Sequence, residues 1–281
     1  MIRIAASKIW VSGGPEGLLH DLLEGSPRPA PAPEPQRPAG AAPGPWRRMS
    51  RLTRMVVATA GPLVQGRADL DSLPVVWGNT MGELVPVARF LDRLYSEGPQ
   101  ACSPMAFQNS VTNAPVGHLS IAMGLRGSSD TISAGGASGL VALMRGIDLL
   151  RLGGARTVLV VAGDDLNEST QRAWAQQPQA PVLGEAMAAV LLSLDDPGPA
   201  VEIEIGSAPM AGFPVLARAT PLPGEPPLLP IPDAAAPEAC IGLVPSAGLA
   251  LVAALAQAGR AGSVVDQDGP MILTARVLEA P

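Results

Sequence analysis

Residues 131–143, TISAGGASGLVAL, have the outline of a strand that feeds a reactive side chain into the start of a helix. A nucleophile elbow requires Gly-x-Ser-x-Gly, but Gly136-Ala137-Ser138-Gly139 is followed by Leu140, so the pattern fails. No Gly-Lys-Ser/Thr follows either, which excludes a phosphate-binding loop. Ser138 reads instead as a cap for the helix behind it. The other reactive side chains are few. Cys102 precedes Ser103 and Pro104 in a loop, Cys240 lies near a buried strand, and neither has a base close in sequence. His20 falls in an early helix, and His118 in an apolar one where a buried structural role suits it. Lys8 is the sole lysine and sits in the first strand, a poor place for Schiff-base chemistry. Asp164, Asp165 and Glu168 could suggest a hard metal, but without further acidic ligands at suitable spacing they read as a solvated strand end.

The composition narrows the classes available. With 281 residues and 47 % hydrophobic content, the chain is globular and can bury a sizeable core. Aromatic residues are only 3 %, so aliphatic side chains and methionine must build that core. The net charge is −6, and the only basic cluster is Arg47, Arg48, Arg51 and Arg54, which argues against nucleic acid as a partner. No apolar run reaches the roughly 18 residues of a membrane span. The first residues, MIRIAASKIWVSGG, lack the features of a secretion signal. Two isolated cysteines form no disulfide framework, so a reducing cytoplasm is expected.

Among the elements, 2–11 reads as a strand and 15–24 as a short helix. The Pro- and Ala-rich stretch 25–46 reads as an exposed loop. Ser50 offers a cap for a helix over 51–60. PVVWGNT (74–80) predicts a buried strand, 84–95 an amphipathic helix, and 110–125 a helix with Pro115 in its early part. A strand through Asp130–Ser133 leads to a helix from Ser138 to Leu152, stopped by Gly153 and Gly154. TVLVVAG (157–163) is apolar throughout and predicts a strand buried on both faces. AMAAVLLSL (186–194) and VEIEIG (201–206) read as a strand pair, the proline-rich 207–239 as irregular surface, 246–259 as a capped helix and 270–278 as a closing strand. Alternating helices and buried strands favour a layered α/β fold.

Certain stretches are familiar. Residues 103–165, from SPMAFQNSVTN through TISAGGASGLVAL to VLVVAGDD, resemble the N-terminal half of β-ketoacyl synthases of the thiolase fold. APVLGEAMAAVLLSL (180–194) is similar to that family's VLGEGAGVLVLE segment, and WGNTMGE (77–83) to its early strand and turn. The resemblance covers 75–195 well and 1–74 more loosely. It implies one thiolase-like αβαβα domain over 1–281, largely the N-terminal half, with a reduced C-terminal part of one helix and one strand in 240–281. It also implies that the family's nucleophilic cysteine position is held here by Gly136. The family's basic pair from the C-terminal half has no counterpart, because no histidine follows His118 and no lysine follows Lys8. A side chain of one hydrogen cannot form a thioester, so condensation by this chain alone is excluded.

Within the family, the resemblance points to the non-catalytic chain-length-factor subunits of type II polyketide and aryl polyene pathways. Such a subunit heterodimerises with an active β-ketoacyl synthase, through the strand leading to the nucleophile position and the neighbouring helix. It needs no cofactor and no metal, and it meets acyl carrier protein by way of its partner. The expected contribution to the partner's acyl tunnel is 103–113, with Ala106 at the gate and Met105, Phe107, Ser110, Val111 and Asn113 around it. Two alternatives stay open: an acyltransferase or thioesterase using Cys102 or Ser138, and a non-catalytic scaffold that binds acyl carrier protein.

Overall fold

The computed structural model describes residues 1–11, 34–175, 184–206, 215–218, 238–240, 245–268 and 271–279. The helix expected at 15–24, His20, the start of the Pro-rich loop and most of 207–239 lie outside them.

The first half of the chain builds one five-stranded sheet from β1 (Arg3–Val11), β2 (Val75–Gly78), β3 (Ser129–Ile132), β4 (Thr157–Asp164) and β5 (Ala186–Ser193), in the order β1-β5-β4-β2-β3. β2 runs parallel to β3 and β4, while β5 runs antiparallel to β4 and β1. Both faces of β4 and β5 are covered, which explains their unbroken apolar sequence. The second half builds a sheet from β6 (Val201–Ile205), β7 (Val215–Arg218), β8 (Glu238–Cys240), β9 (Gly262–Asp268) and β10 (Met271–Val277), in the order β6-β10-β9-β7-β8. Strand for strand this repeats the topology and the strand directions of the first sheet.

Two helices lie between the sheets. α6 (Ser138–Arg151) connects β3 to β4, and α8 (Gly248–Gln257) connects β8 to β9, so they occupy equivalent places in the two repeats. Leu140, Leu143 and Ile147 of α6 share one core with Leu249, Val252 and Leu255 of α8 and with inward residues of both sheets. The helices approach closely at their starts. A Cβ on Gly139 would stand 2.4 Å from the carbonyl oxygen of Ser246, and one on Gly248 would stand 3.0 Å from Leu140. On the other face of the first sheet, α2 (Arg51–Val64) and α5 (Ala114–Met123) enclose a second core around Trp77, Leu159 and Met187. The remaining helices are α1 (Pro43–Arg48), α3 (Leu84–Glu97), α4 (Pro104–Gln108) and α7 (Glu168–Ala175).

Several expectations are corrected by the structure. β5 and β6 do not pair, because β1 and β4 already occupy both edges of β5 and β6 pairs with β10 instead. The reduced C-terminal part holds more than one helix and one strand. β9, whose GSVVDQD sequence carries little apolar signal, lies beside β10. β7 lies inside the stretch read as irregular and β8 begins at its end, and α1 takes the end of the loop read as 25–46. The expected helix over 110–125 begins only at Ala114, since Pro115 suits a first turn and not an interior.

Candidate functional site

The carboxyl ends of the parallel strands converge on the turn that precedes α6, the side of such sheets where functional groups collect. Just past β2, the Asn79 N–H donates to the carbonyl of Ile132 at the end of β3, at 3.0 Å. The Thr80 hydroxyl donates to the Gly135 carbonyl at 2.7 Å. Asp164, the last residue of β4, holds this region together. It accepts the Met81 N–H at 2.8 Å, the Thr80 N–H at 3.1 Å and the Ser246 hydroxyl from the turn before α8. Asp164 is fully buried, and burial pushes its pKa up to about 6 despite those hydrogen bonds.

At the centre of the turn sits Gly136, buried, after Gly135 in a left-handed conformation (φ 48°). No sulfur or hydroxyl projects from it. The Ser138 hydroxyl is used inside the turn: it donates to the Gly135 carbonyl at 2.7 Å and accepts the Ala134 N–H at 3.0 Å. Ser138 is therefore not the cap of α6. The helix grows directly out of a 3₁₀ turn, Ala137 takes the cap position, and the hydroxyl reaches backward. Cys102 approaches only the Gly98 carbonyl, at 3.9 Å, and His118 pairs with Asn109 at 2.9 Å. Neither Ser138 nor Cys102 has a histidine partner among the described residues. The half-buried His118 has its pKa lowered by burial, which fits a structural role.

Beside this turn lies a buried ionic group that the sequence did not reveal. Arg51 of α2 makes a two-pronged pair with Glu185, one prong at 2.8 Å, and Glu185 also accepts the Leu166 N–H at 2.9 Å. Glu83 accepts the Ser50 and Thr53 hydroxyls, each at 2.6 Å, while Ser50 caps α2 through the Thr53 N–H. Burial pushes the Glu83 pKa up to about 7, with the neighbouring Asp165 adding to the rise. Asp164 and Asp165 are thus inside the molecule, not at a solvated strand end. The legible signal was a fully apolar strand running straight into two carboxylates, since a strand buried on both faces ends indoors. No cluster suited to a metal ion occurs among the described residues.

The segment expected to face a partner is anchored from behind and open in front. Trp77, fully buried in β2, donates its indole N–H to the Thr112 carbonyl at 3.0 Å. Phe107 packs on Phe90 with ring centroids 5.7 Å apart. Met105 and Phe107 are nonetheless 52 % and 58 % exposed, Val111 and Asn113 are exposed, and Ala106 and Ser110 are partly so. Next to them α5 is largely apolar, with Ile121 76 % exposed, and among the described residues β3 pairs only with β2. No helix among the described residues is long and apolar enough to cross a membrane.

Residues 30–210, more than half of the chain, match the family model of the β-ketoacyl synthase N-terminal domain. The chain belongs to that family. No curated protein matches the sequence. Among solved structures, the ishigamide ketosynthase/chain length factor is similar with a TM-score of 0.74 at 20 % identity, over 100 % of this chain and 99 % of that one. The ketosynthase ApeO in complex with its chain length factor ApeC from Xenorhabdus doucetiae gives 0.64 at 17 %, over 98 % of each. A type II polyketide acyl-carrier protein in complex with its ketosynthase, AntDE:AntF, gives 0.72 at 11 %, over 100 % of this chain and 99 % of that one. The fold is the thiolase-like ketosynthase fold.

Proposed function

We propose that this chain is a non-catalytic, chain-length-factor-type subunit that heterodimerises with an active β-ketoacyl synthase and shapes its acyl tunnel. The observation that carries this reading is Gly136, buried where the family resemblance places the nucleophile, in a turn otherwise complete. Ketosynthase chemistry needs a thiolate to hold the acyl chain and basic groups to drive condensation. The described residues supply neither at this turn. The exposed apolar side chains of Met105, Phe107, Val111 and Ile121, together with the open edge of β3, support a protein partner. Strand pairing along β3 would place 103–113 against that partner. The neighbours that are ketosynthase/chain length factor pairs support the same choice. Acyl carrier protein reaches the complex through the catalytic subunit, and the assembly works in the cytoplasm without cofactor or metal.

The test is acyl transfer. A radiolabelled acyl thioester of the carrier protein, incubated with the co-purified pair, is expected to label the ketosynthase and leave this chain unlabelled. The Cys102→Ala variant is expected to leave turnover of the complex unchanged. Label on this chain, or loss of turnover in Cys102→Ala without loss of assembly, would favour a relocated nucleophile.

A further inference from the structure

Away from this site, β1, α2 and the segment 34–38 border a half-open cleft of about 410 Å³, lined by Lys8, Trp10, Glu34, Gln36, Arg37, Pro38, Ala58 and Pro62. Its polar groups are mostly donors. Lys8, the only lysine of the chain, has no ion-pair or hydrogen-bond partner among the described residues. The Arg37 guanidinium gives one bond, to the Ala41 carbonyl, and has further N–H groups to offer. The Trp10 indole N–H is buried and has no acceptor among the described residues, a state that costs free energy unless another group supplies one. The one carboxylate of the lining, Glu34, is engaged with Arg51 at 3.3 Å and Arg54 at 3.8 Å, so it does not neutralise Lys8 or Arg37. The rest of the wall is Pro38, Ala58, Pro62 and the body of Trp10.

We propose that this cleft binds a small organic anion: a carboxylate head between Lys8, Arg37 and the Trp10 indole, with a short apolar body against Ala58 and the prolines. Its volume falls in the range of small-molecule sites. A carboxylate oxygen would answer the orphaned indole N–H, and two uncompensated cations favour an anion over a neutral ligand. This inference stands apart from the proposed heterodimer function, because no lining residue belongs to the 103–113 segment, β3 or the turn at Gly136.

A single lysine makes the test direct. Reductive methylation of the full-length chain is followed by mass spectrometry of the Lys8 peptide, with octanoate or inorganic phosphate as probe. At about ten times the dissociation constant of octanoate, Lys8 is expected to react about ten-fold more slowly, with phosphate protecting less. Calorimetry is expected to show octanoate binding that Lys8→Met and Arg37→Met each weaken, with circular dichroism unchanged. Equal labelling with and without octanoate and no heat of binding would overturn the site, as would undiminished binding in both variants. Protection by phosphate equal to that by octanoate would overturn the apolar body of the ligand.

Discussion

Burial raises the pKa of Glu83, the neighbouring Asp165 adds to the rise, and the Ser50 and Thr53 hydroxyls only partly offset it. Its folded pKa of about 7 lies above the ordinary value of 4.5. Over that interval the folded chain keeps a proton that the unfolded chain releases, so stability falls as pH rises from about 4.5 through 7. Glu83→Gln removes this dependence. The variant should gain on the native chain between pH 5 and 8 by on the order of 2 kcal/mol, at roughly 1.4 kcal/mol per pKa unit. Urea titrations of both proteins across that range check it, and parallel pH profiles would refute it. Ala106 poses a question of volume. In the proposed subunit a methyl group at the gate leaves space that an aromatic ring would fill, and overfilling a packed site costs about 1–3 kcal/mol. Ala106→Phe is therefore expected to shorten the products of the partner ketosynthase while the pair still forms. Mass spectrometry of carrier-bound intermediates reads the change, and an unchanged length distribution would place the tunnel elsewhere.

The central helices meet through glycine. An added methyl at Gly139 would press on backbone atoms of Ser246 and Leu249, which cannot swing aside as a flexible side chain can. Gly139→Ala should destabilise the chain by about 1–3 kcal/mol or more. Gly117→Ala, in α5 with nothing near the new Cβ, should instead stabilise by roughly 0.5–1 kcal/mol through helix propensity. Thermal unfolding of the two variants gives the contrast. Elements of this kind differ in how far sequence discloses them. β4 and β5 were legible because two covered faces demand continuous apolar residues, and α2 because Ser50 marks its start. The partner of β5 was not, since pairing depends on which edges are already taken. β9 was missed because its sequence alternates weakly. The helix over 246–259 reads as capped, but the Ser246 hydroxyl serves Asp164 across the core. At the site, Gly136 could be read from the resemblance alone. The Arg51, Glu83 and Glu185 group could not, because its members lie far apart in the chain and only the fold brings them together. A duplicate signal was present: Ala137-Ser138-Gly139-Leu140 and Ser246-Ala247-Gly248-Leu249 both place small residues and then leucine at a helix start.

On the scale of the whole molecule, an open strand edge and a set of exposed apolar side chains are features that isolated proteins seldom tolerate together. The chain alone is expected to self-associate or dissolve poorly, and co-expression with the proposed ketosynthase partner to give a stable pair. Light scattering after size exclusion separates the outcomes, and a well-behaved monomer that takes up no partner would contradict the proposed function. The doubled topology has a further consequence, visible in terms of inheritance. Each repeat supplies half of the wall that the other repeat folds against, so neither can be discarded while its fellow is kept. Chemistry is under no such constraint. A reactive group at the start of one central helix can be absent with no loss of core, because Leu140, Leu143 and Ile147, and not residue 136, fill the space between the sheets. A lineage built on this plan can therefore shed catalysis one residue at a time and still pass on an intact surface for a partner to use.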